Sequence, residues 1–282
     1  MKIYQVDAFT TQKFKGNPAC VCVLPEGFEI NNSPNNEQWM QNLASEMNLS
    51  ETAFVLLQPS AEKQAPVFSL RWFTPTTEVD LCGHATLATS HILWTEGLLD
   101  INQSALFDTL SGRLEVTRAD NAVEEGETLM TMNFLVDKLI PCKEPVGLEM
   151  DLGCEVGNVY EAGLDLLVEV ANETTVAKIN PIIQQIAMIP VRCIVVTAQA
   201  DEGCDYDFVS RVFGPNVGID EDPVTGSTHC SLTPFWAGKL GKKKMQAKQL
   251  SQRGGLLGAE LLGERVNISG QAVTVFKGEL CE

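Results

Sequence analysis

Basic residues are scarce in this chain. Its 282 residues include 20 Lys and Arg against 37 Asp and Glu, a formal net charge of −17. Neutralising phosphates needs clustered Lys and Arg, so this balance argues against a nucleic-acid partner. One basic run, Lys242-Lys243-Lys244, follows Gly241 and reads as a solvated turn. Long apolar runs are missing too: nothing approaches the roughly 18 residues that cross a bilayer, so no membrane partner is expected. The opening MKIYQVDAF puts Asp7 where a secretory signal needs its apolar core, so a cytoplasmic protein is expected. Histidines number three, at 84, 91 and 229, and the nine cysteines contain no C-x-x-C pair. No metal-ligand spacing emerges along the chain, and no metal is expected. Hydrophobic content of 44% and charged content of 20% are those of an ordinary folded protein, long enough for one large or two medium domains.

Periodicity supplies the elements. KIYQVDAF alternates as a strand, and PACVCVLP is a short apolar run behind the turn signal Gly16-Asn17, with Cys20 and Cys22 as core residues. NNEQWMQNLASEMN has helical spacing through Trp39, Met40, Leu43 and Met47; LSETAFVLL and VFSLRWF return to strand. ATLATSHILWTEG reads as a helix stopped by Gly97.

The second half repeats this order. GLDLLVEV at 163–170 resembles GNPACVCV at 16–23, and a helix-like stretch around INPIIQQIAM precedes the strand VRCIVVTAQ. SLRWFTPTTEVDLCGHATLA at 69–88 aligns with VSRVFGPNVGIDEDPVTGSTHCS at 209–231, matching Arg71 to Arg211, Phe73 to Phe213 and Gly83 to Gly226. Two homologous halves are therefore expected, over 1–118 and 128–271, with RADNAVEEGE as linker. A strand near 272–282 is a candidate to return to the first half.

In each half a glycine turn feeds a helix, Cys82-Gly83-His84 in one and Thr225-Gly226-Ser227 in the other. The first N–H groups of a helix lack partners and favour anions, and glycine lets a ligand approach the backbone. Alone, either turn is equally a helix cap; as a matched pair they suggest a site for a carboxylate. The halves differ at Ser50-Glu51, whose counterpart falls near Arg192. Glu51 leads into the apolar TAFVLL; on spacing alone it reads as a strand-end acid facing water. Asp222 reads equally as a turn acid before Pro223, and Asp220 and Glu221 as solvated neighbours. His91 and His229 read as helix residues without a catalytic role.

DAFTTQKFKGNP, EMNLSETAF, RWFTPTTEVDLCGHATLA, RVFGPNVGIDEDPVTGS and SQRGG together resemble the PhzF-like isomerases, named for phenazine biosynthesis, over essentially the whole length. More distantly the chain is similar to diaminopimelate epimerase and proline racemase. The resemblance implies an α+β fold of two pseudo-symmetric, barrel-like β-rich halves, each wrapped around a central helix, with the active site in the cleft between them. It implies a homodimer and a proton shift between carbons of a small carboxylic acid without metal or organic cofactor. Carried over by motif, Glu51 matches the general acid/base, and Asp222 and His84 match residues that contact and orient the substrate. Ser50, Gly83, Gly226, Ser227 and Asn17 match positions that bind its polar groups. Two other readings stay open. One is a thiol-dependent racemase built on Cys82, whose partner position holds Thr225, a hydroxyl that does not ionise usefully near neutral pH. The other is a metabolite-binding protein that kept the fold.

Overall fold

The computed structural model describes residues 1–31, 33–58, 65–119 and 128–281; the expected linker falls, from 120 to 127, outside them. The chain divides into two units, Met1–Asn133 with Ser269–Glu282, and Phe134–Ile268.

The first unit opens with β1 (Lys2–Ala8), β2 (Asn17–Val23), α1 (Pro34–Met47), β3 (Glu51–Leu57) and β4 (Val67–Phe73). It continues with β5 (Glu78–Val79), α2 (Gly83–Thr95), β6 (Ala105–Thr109), β7 (Gly112–Arg118) and β8 (Met130–Leu135). From there the chain runs through β9 (Leu139–Pro141), α3 (Leu148–Leu152), β10 (Val159–Ala162), β11 (Asp165–Glu169), α4 (Glu173–Lys178) and α5 (Ile183–Ile186). Next come β12 (Ile194–Gln199), β13 (Phe208–Gly214), β14 (Ile219–Asp222), α6 (His229–Leu240), β15 (Lys244–Gln249), β16 (Gly255–Leu262) and β17 (Arg265–Gly270). The last strand, β18 (Ala272–Glu279), pairs antiparallel with β1 in the first unit.

The ladders repeat between the units. In the first, β2 runs parallel to β3, β3 antiparallel to β4, and β4 parallel to β6. In the second, β11 runs parallel to β12, β12 antiparallel to β13, and β13 parallel to β15. Parallel neighbours need a crossover, and helices fill that role: α1 and α2 in the first unit, α4 with α5 and then α6 in the second. Register agrees as well, for Arg71 faces Phe54 across β4/β3 and Arg211 faces Val196 across β13/β12.

One expected helix is smaller than its counterpart. Around INPIIQQIAM only Ile183–Ile186 is helical, because Pro181 lacks the N–H that would join this turn to α4.

α2 and α6 are the central helices of their units. Every residue of α2 from His84 to Trp94 is buried, the state expected of a helix without a polar face. Its hydroxyls are satisfied locally: Thr86, Thr89 and Ser90 donate to the carbonyls of Cys82, Ala85 and Thr86 at 2.6, 2.7 and 2.9 Å. α6 does the same through Thr233 to His229 O at 2.6 Å. Cys20 and Cys22 lie in the core beside Met40, Phe54 and Phe73.

Both units share one clamp. The Arg71 guanidinium donates Nε and Nη2 to Glu78 at 2.6 Å each and Nη1 to Ile30 O at 2.7 Å, with its carbon 5.2 Å from the Phe73 ring centre. Arg211 donates Nε and Nη2 to Glu221 at 2.7 and 2.9 Å and Nη1 to Ile179 O at 2.6 Å, 5.0 Å from the Phe213 ring centre. Glu221, expected to be solvated, is therefore half-buried in an ion pair, because the repeat assigns it the place of Glu78. Asp220 is exposed as expected.

Candidate active site

Asn17, Ser50, Glu51, Cys82 and His84 come together in the first unit. Gly16 makes this possible at one end: its φ is +63°, and a Cβ there would lie 2.1 Å from Ala8 O. That turn delivers Asn17, fully buried, to the head of β2. Parallel pairing sets Glu51, the first residue of β3, opposite Ala19. Gly83 opens α2, so His84 sits in its first turn.

The imidazole of His84 is the hub. Its Nε2 lies 3.1 Å from Glu51 Oε2, an ion-pair contact that is not aligned as a hydrogen bond for either atom. Its Nδ1 faces Asn17 Nδ2 at 3.2 Å and Cys82 Sγ at 3.5 Å, and Ser50 Oγ donates to Asn17 Oδ1 at 3.3 Å. Glu51 is only 9% exposed, overturning the reading of a carboxyl facing water.

Charge decides the protonation of this group. Burial alone would lower the His84 pKa, but the negative charges that Cys82 and Glu51 present outweigh it and hold the imidazole well above the usual histidine range. The Cys82 thiol is itself pushed up to about 11 by burial and by Glu51. It is a neutral thiol at pH 7, so of the two charges that raise the His84 pKa only that of Glu51 can act there. The network serves both forms of His84. A neutral ring accepts from the Asn17 amide at Nδ1; an imidazolium donates to the same amide turned over, with Ser50 then accepting.

Along the chain these residues show no metal spacing, yet donor atoms of Glu51, Cys82 and His84 lie within 4.8 Å of one another. The imidazole stands between the other two, with Cys82 at its Nδ1 and Glu51 at its Nε2. The trio forms a chain of titratable groups joined through the imidazole.

The second unit holds Asp222, Gly226 and Ser227. Thr225 Oγ1 donates to Asp222 Oδ2 at 2.5 Å. The buried Gln249, at the end of β15, accepts from Thr225 N at 2.9 Å and donates to Asp222 O at 2.7 Å. Ser251 Oγ donates to Pro223 O at 2.7 Å. The sequence singled out SQRGG without a purpose; together with Gln249 it fixes the turn that carries Asp222. α6 itself starts at His229, not at the glycine, and tight turns from Gly226 O to His229 N and Ser227 O to Cys230 N fill the gap.

The shared register of the two arginine clamps equates Glu51 with Cys193 and Ser50 with Arg192. Cys193 is buried, its thiol raised to about 12 by burial first and by the Asp165 charge second. Arg192 binds Asp165 through Nε at 2.8 Å and Nη2 at 2.5 Å. Sequence reasoning placed Arg192 opposite Ser50 but gave it no role, and it missed Asp165 and Gln249. The signal for Asp165 was faint, an acid inside the apolar run GLDLLVEV.

The family model described as "Phenazine biosynthesis-like protein" matches residues 6–278. The chain belongs to this family. It is 44% identical over 281 residues to an uncharacterised isomerase of Halalkalibacterium halodurans, covering 99% of this chain and 97% of that one. A crystal structure of a PhzF-family phenazine biosynthesis protein of Enterococcus faecalis superposes with a TM-score of 0.87 at 38% identity, covering 100% and 99% of the two chains. A predicted epimerase of Pseudomonas aeruginosa, 18% identical with a TM-score of 0.73 and coverage of 100% and 99%, shares the fold. Among the described residues no helix is long and apolar enough to cross a membrane.

Proposed function

We propose that this isomerase of the phenazine biosynthesis-like family moves a proton between two carbons of a small, amino-bearing carboxylic acid, with Glu51 as its single acid/base. The supporting observation is the asymmetry of the two units. Where the first has Glu51 against His84, the second has a thiol whose pKa of about 12 keeps it protonated. Two-base chemistry needs a second proton carrier; one-base chemistry needs only Glu51.

In this mechanism the Glu51 carboxylate takes a proton from an acidified carbon, and the C–H electron pair moves into the adjacent π system. The new Glu51 carboxyl then returns the proton to a second carbon as the double bond migrates. His84, its imidazole 3.1 Å away and its pKa raised, stabilises the carboxylate before and after transfer. The N–H groups at the start of α2 favour the negative charge that develops on the substrate. Asp222, oriented by Thr225 and Gln249, pairs with the substrate ammonium, while Gly226 and Ser227 meet its other polar groups. A thiol-based racemase is disfavoured because the Cys82 thiol is protonated near neutral pH and Thr225 already donates its hydroxyl to Asp222.

Incubation in D₂O with a panel of small amino-bearing acids tests the reading. The expected outcome is deuterium at one carbon of at least one compound, with a migrated double bond. Label at the α-carbon with inversion would support the racemase instead, and binding without exchange across the panel would support a metabolite-binding protein.

A further inference from the structure

Among the described residues, Arg71, Arg192 and Arg211 each grip both oxygens of a carboxylate with Nε and Nη2. Arg71 and Arg211 also commit Nη1 to a backbone carbonyl, at 2.7 and 2.6 Å. Arg192 does not: its Nη1 faces only the Ser227 hydroxyl, at 3.4 Å, beyond a good hydrogen-bond length. Exposure differs in the same sense, because the side chain of Arg192 is 34% exposed while that of its partner Asp165 is 2%. A buried carboxylate thus holds the guanidinium from behind and aims its remaining donors outward, toward a residue already matched to substrate binding.

We infer that Arg192 and Ser227 together recognise an anionic group of the substrate, most simply its carboxylate. One oxygen of such a group fits between Nη1 and Oγ, taking an N–H and an O–H in place of their long mutual contact. Guanidinium is suited to this because its planar fork holds several donors in fixed directions. Its charge persists in the folded protein, since the hydrogen bond to Asp165 outweighs burial and raises the Arg192 pKa. Asp137 also presents its carboxyl to Arg192, and burial first and the Asp165 charge second raise its pKa. Position supports the same role. Arg192 is the register counterpart of Ser50, so a polar group stands at this point in both units, neutral in the first and cationic in the second.

The inference rests on the second unit being the one that holds the substrate, and its test does not require turnover. Two probe pairs of matched shape separate charge from size: benzoate with benzamide, and propionate with propionamide. Calorimetric titration should show the wild-type protein preferring the carboxylate of each pair by about tenfold, a difference of about 1.4 kcal/mol. Benzoate should also move the side-chain Nε–H resonance of Arg192 in arginine-labelled protein. Arg192→Lys keeps a cation for Asp165 but loses the fork, and should lose most of the preference. Arg192→Met combined with Asp165→Asn removes the ion pair without orphaning a buried charge, and should abolish it. The titration reads binding alone, so a failed assignment of Glu51 as the proton carrier would leave this result standing. Equal binding of carboxylate and carboxamide by the wild type overturns the inference, as does a preference that survives in the double variant.

Discussion

The two units of this protein use one scaffold for different ends. Both have a parallel–antiparallel–parallel ladder, an arginine clamp on a glutamate and an aromatic ring, and a serine strap that holds a turn. The strap is Ser111 Oγ to Asp80 O at 2.6 Å in the first unit and Ser251 Oγ to Pro223 O at 2.7 Å in the second. What differs is the pair at the head of the strand after the crossover, Ser50-Glu51 against Arg192-Cys193. Features that build the fold are duplicated, whereas the titratable pair occurs once. A difference at two adjacent positions is enough to give one unit a carboxyl beside an imidazole and the other a guanidinium paired with Asp165.

The largest expected break in this comparison comes from Glu51→Gln. It removes the acid/base from the first unit while preserving shape, and should cost ~10²–10⁴-fold in turnover. The thermal melt should stay close to wild type, because the amide can still contact His84. Wild-type turnover by the folded variant would return Glu51 to the role of a strand-end acid.

Next in size are the side chains that hold the turns, Gln249 in the second unit and the Ser111 strap in the first. Gln249→Leu orphans the Thr225 N–H and the Asp222 carbonyl in a buried place, and should cost about 1–3 kcal/mol for each. Ser111→Ala, at the exposed strap of the first unit, should cost no more than about 0.5 kcal/mol. Denaturant melts of the two variants measure this, and equal losses would mean that Gln249 adds nothing to the turn.

Histidine titration followed by NMR sharpens the same contrast. His84 should titrate well above 6.5, whereas His91 and His229, buried without a carboxylate, should titrate near 4. The signs of the stability effects are therefore opposite. The His84 contribution is complete below about pH 6.5 and fades as pH rises through its raised folded value. His91 and His229 weaken the fold as pH falls from about 6.5 toward 4, where the unfolded chain binds their protons first. In Glu51→Gln the His84 value should drop, since burial then acts with less opposition. An unchanged value would show that Glu51 does not hold the imidazolium. Smallest of all should be Cys82→Ser, expected to change turnover by less than about threefold because the thiol is already protonated. A loss comparable to that of Glu51→Gln would restore the thiol mechanism.

Much of this was legible in the chain. The repeat showed itself through the arginines and the Phe-x-Pro turns, which the clamp requires in both units, and the core strands through alternation. Helix α1 was readable because its apolar residues recur at helical spacing. Its counterpart was readable only in part, because Pro181 divides the segment into two short pieces and leaves only part of the periodic signal. The site was half legible. Motif matches located Asn17, Ser50, Glu51 and His84, which the structure brings into one network through a parallel pairing that spacing alone does not reveal. Glu221 was misread because an acid in an acidic turn looks solvated until its arginine, ten positions earlier, is placed across a hairpin. Asp165 and Gln249 stayed hidden because a single polar residue in an apolar strand looks the same whether it is a buried anchor or an edge position.

The division of labour itself is tested by deuterium incorporation into a bound substrate in D₂O, measured in Glu51→Gln and in Asp222→Asn at saturating and at limiting substrate. The account predicts that Glu51→Gln loses incorporation at both concentrations. Asp222→Asn should lose it at limiting substrate and recover most of it at saturation. Incorporation that persists in Glu51→Gln, or that saturation fails to restore in Asp222→Asn, would contradict Glu51 as the proton carrier and Asp222 as a substrate-binding residue.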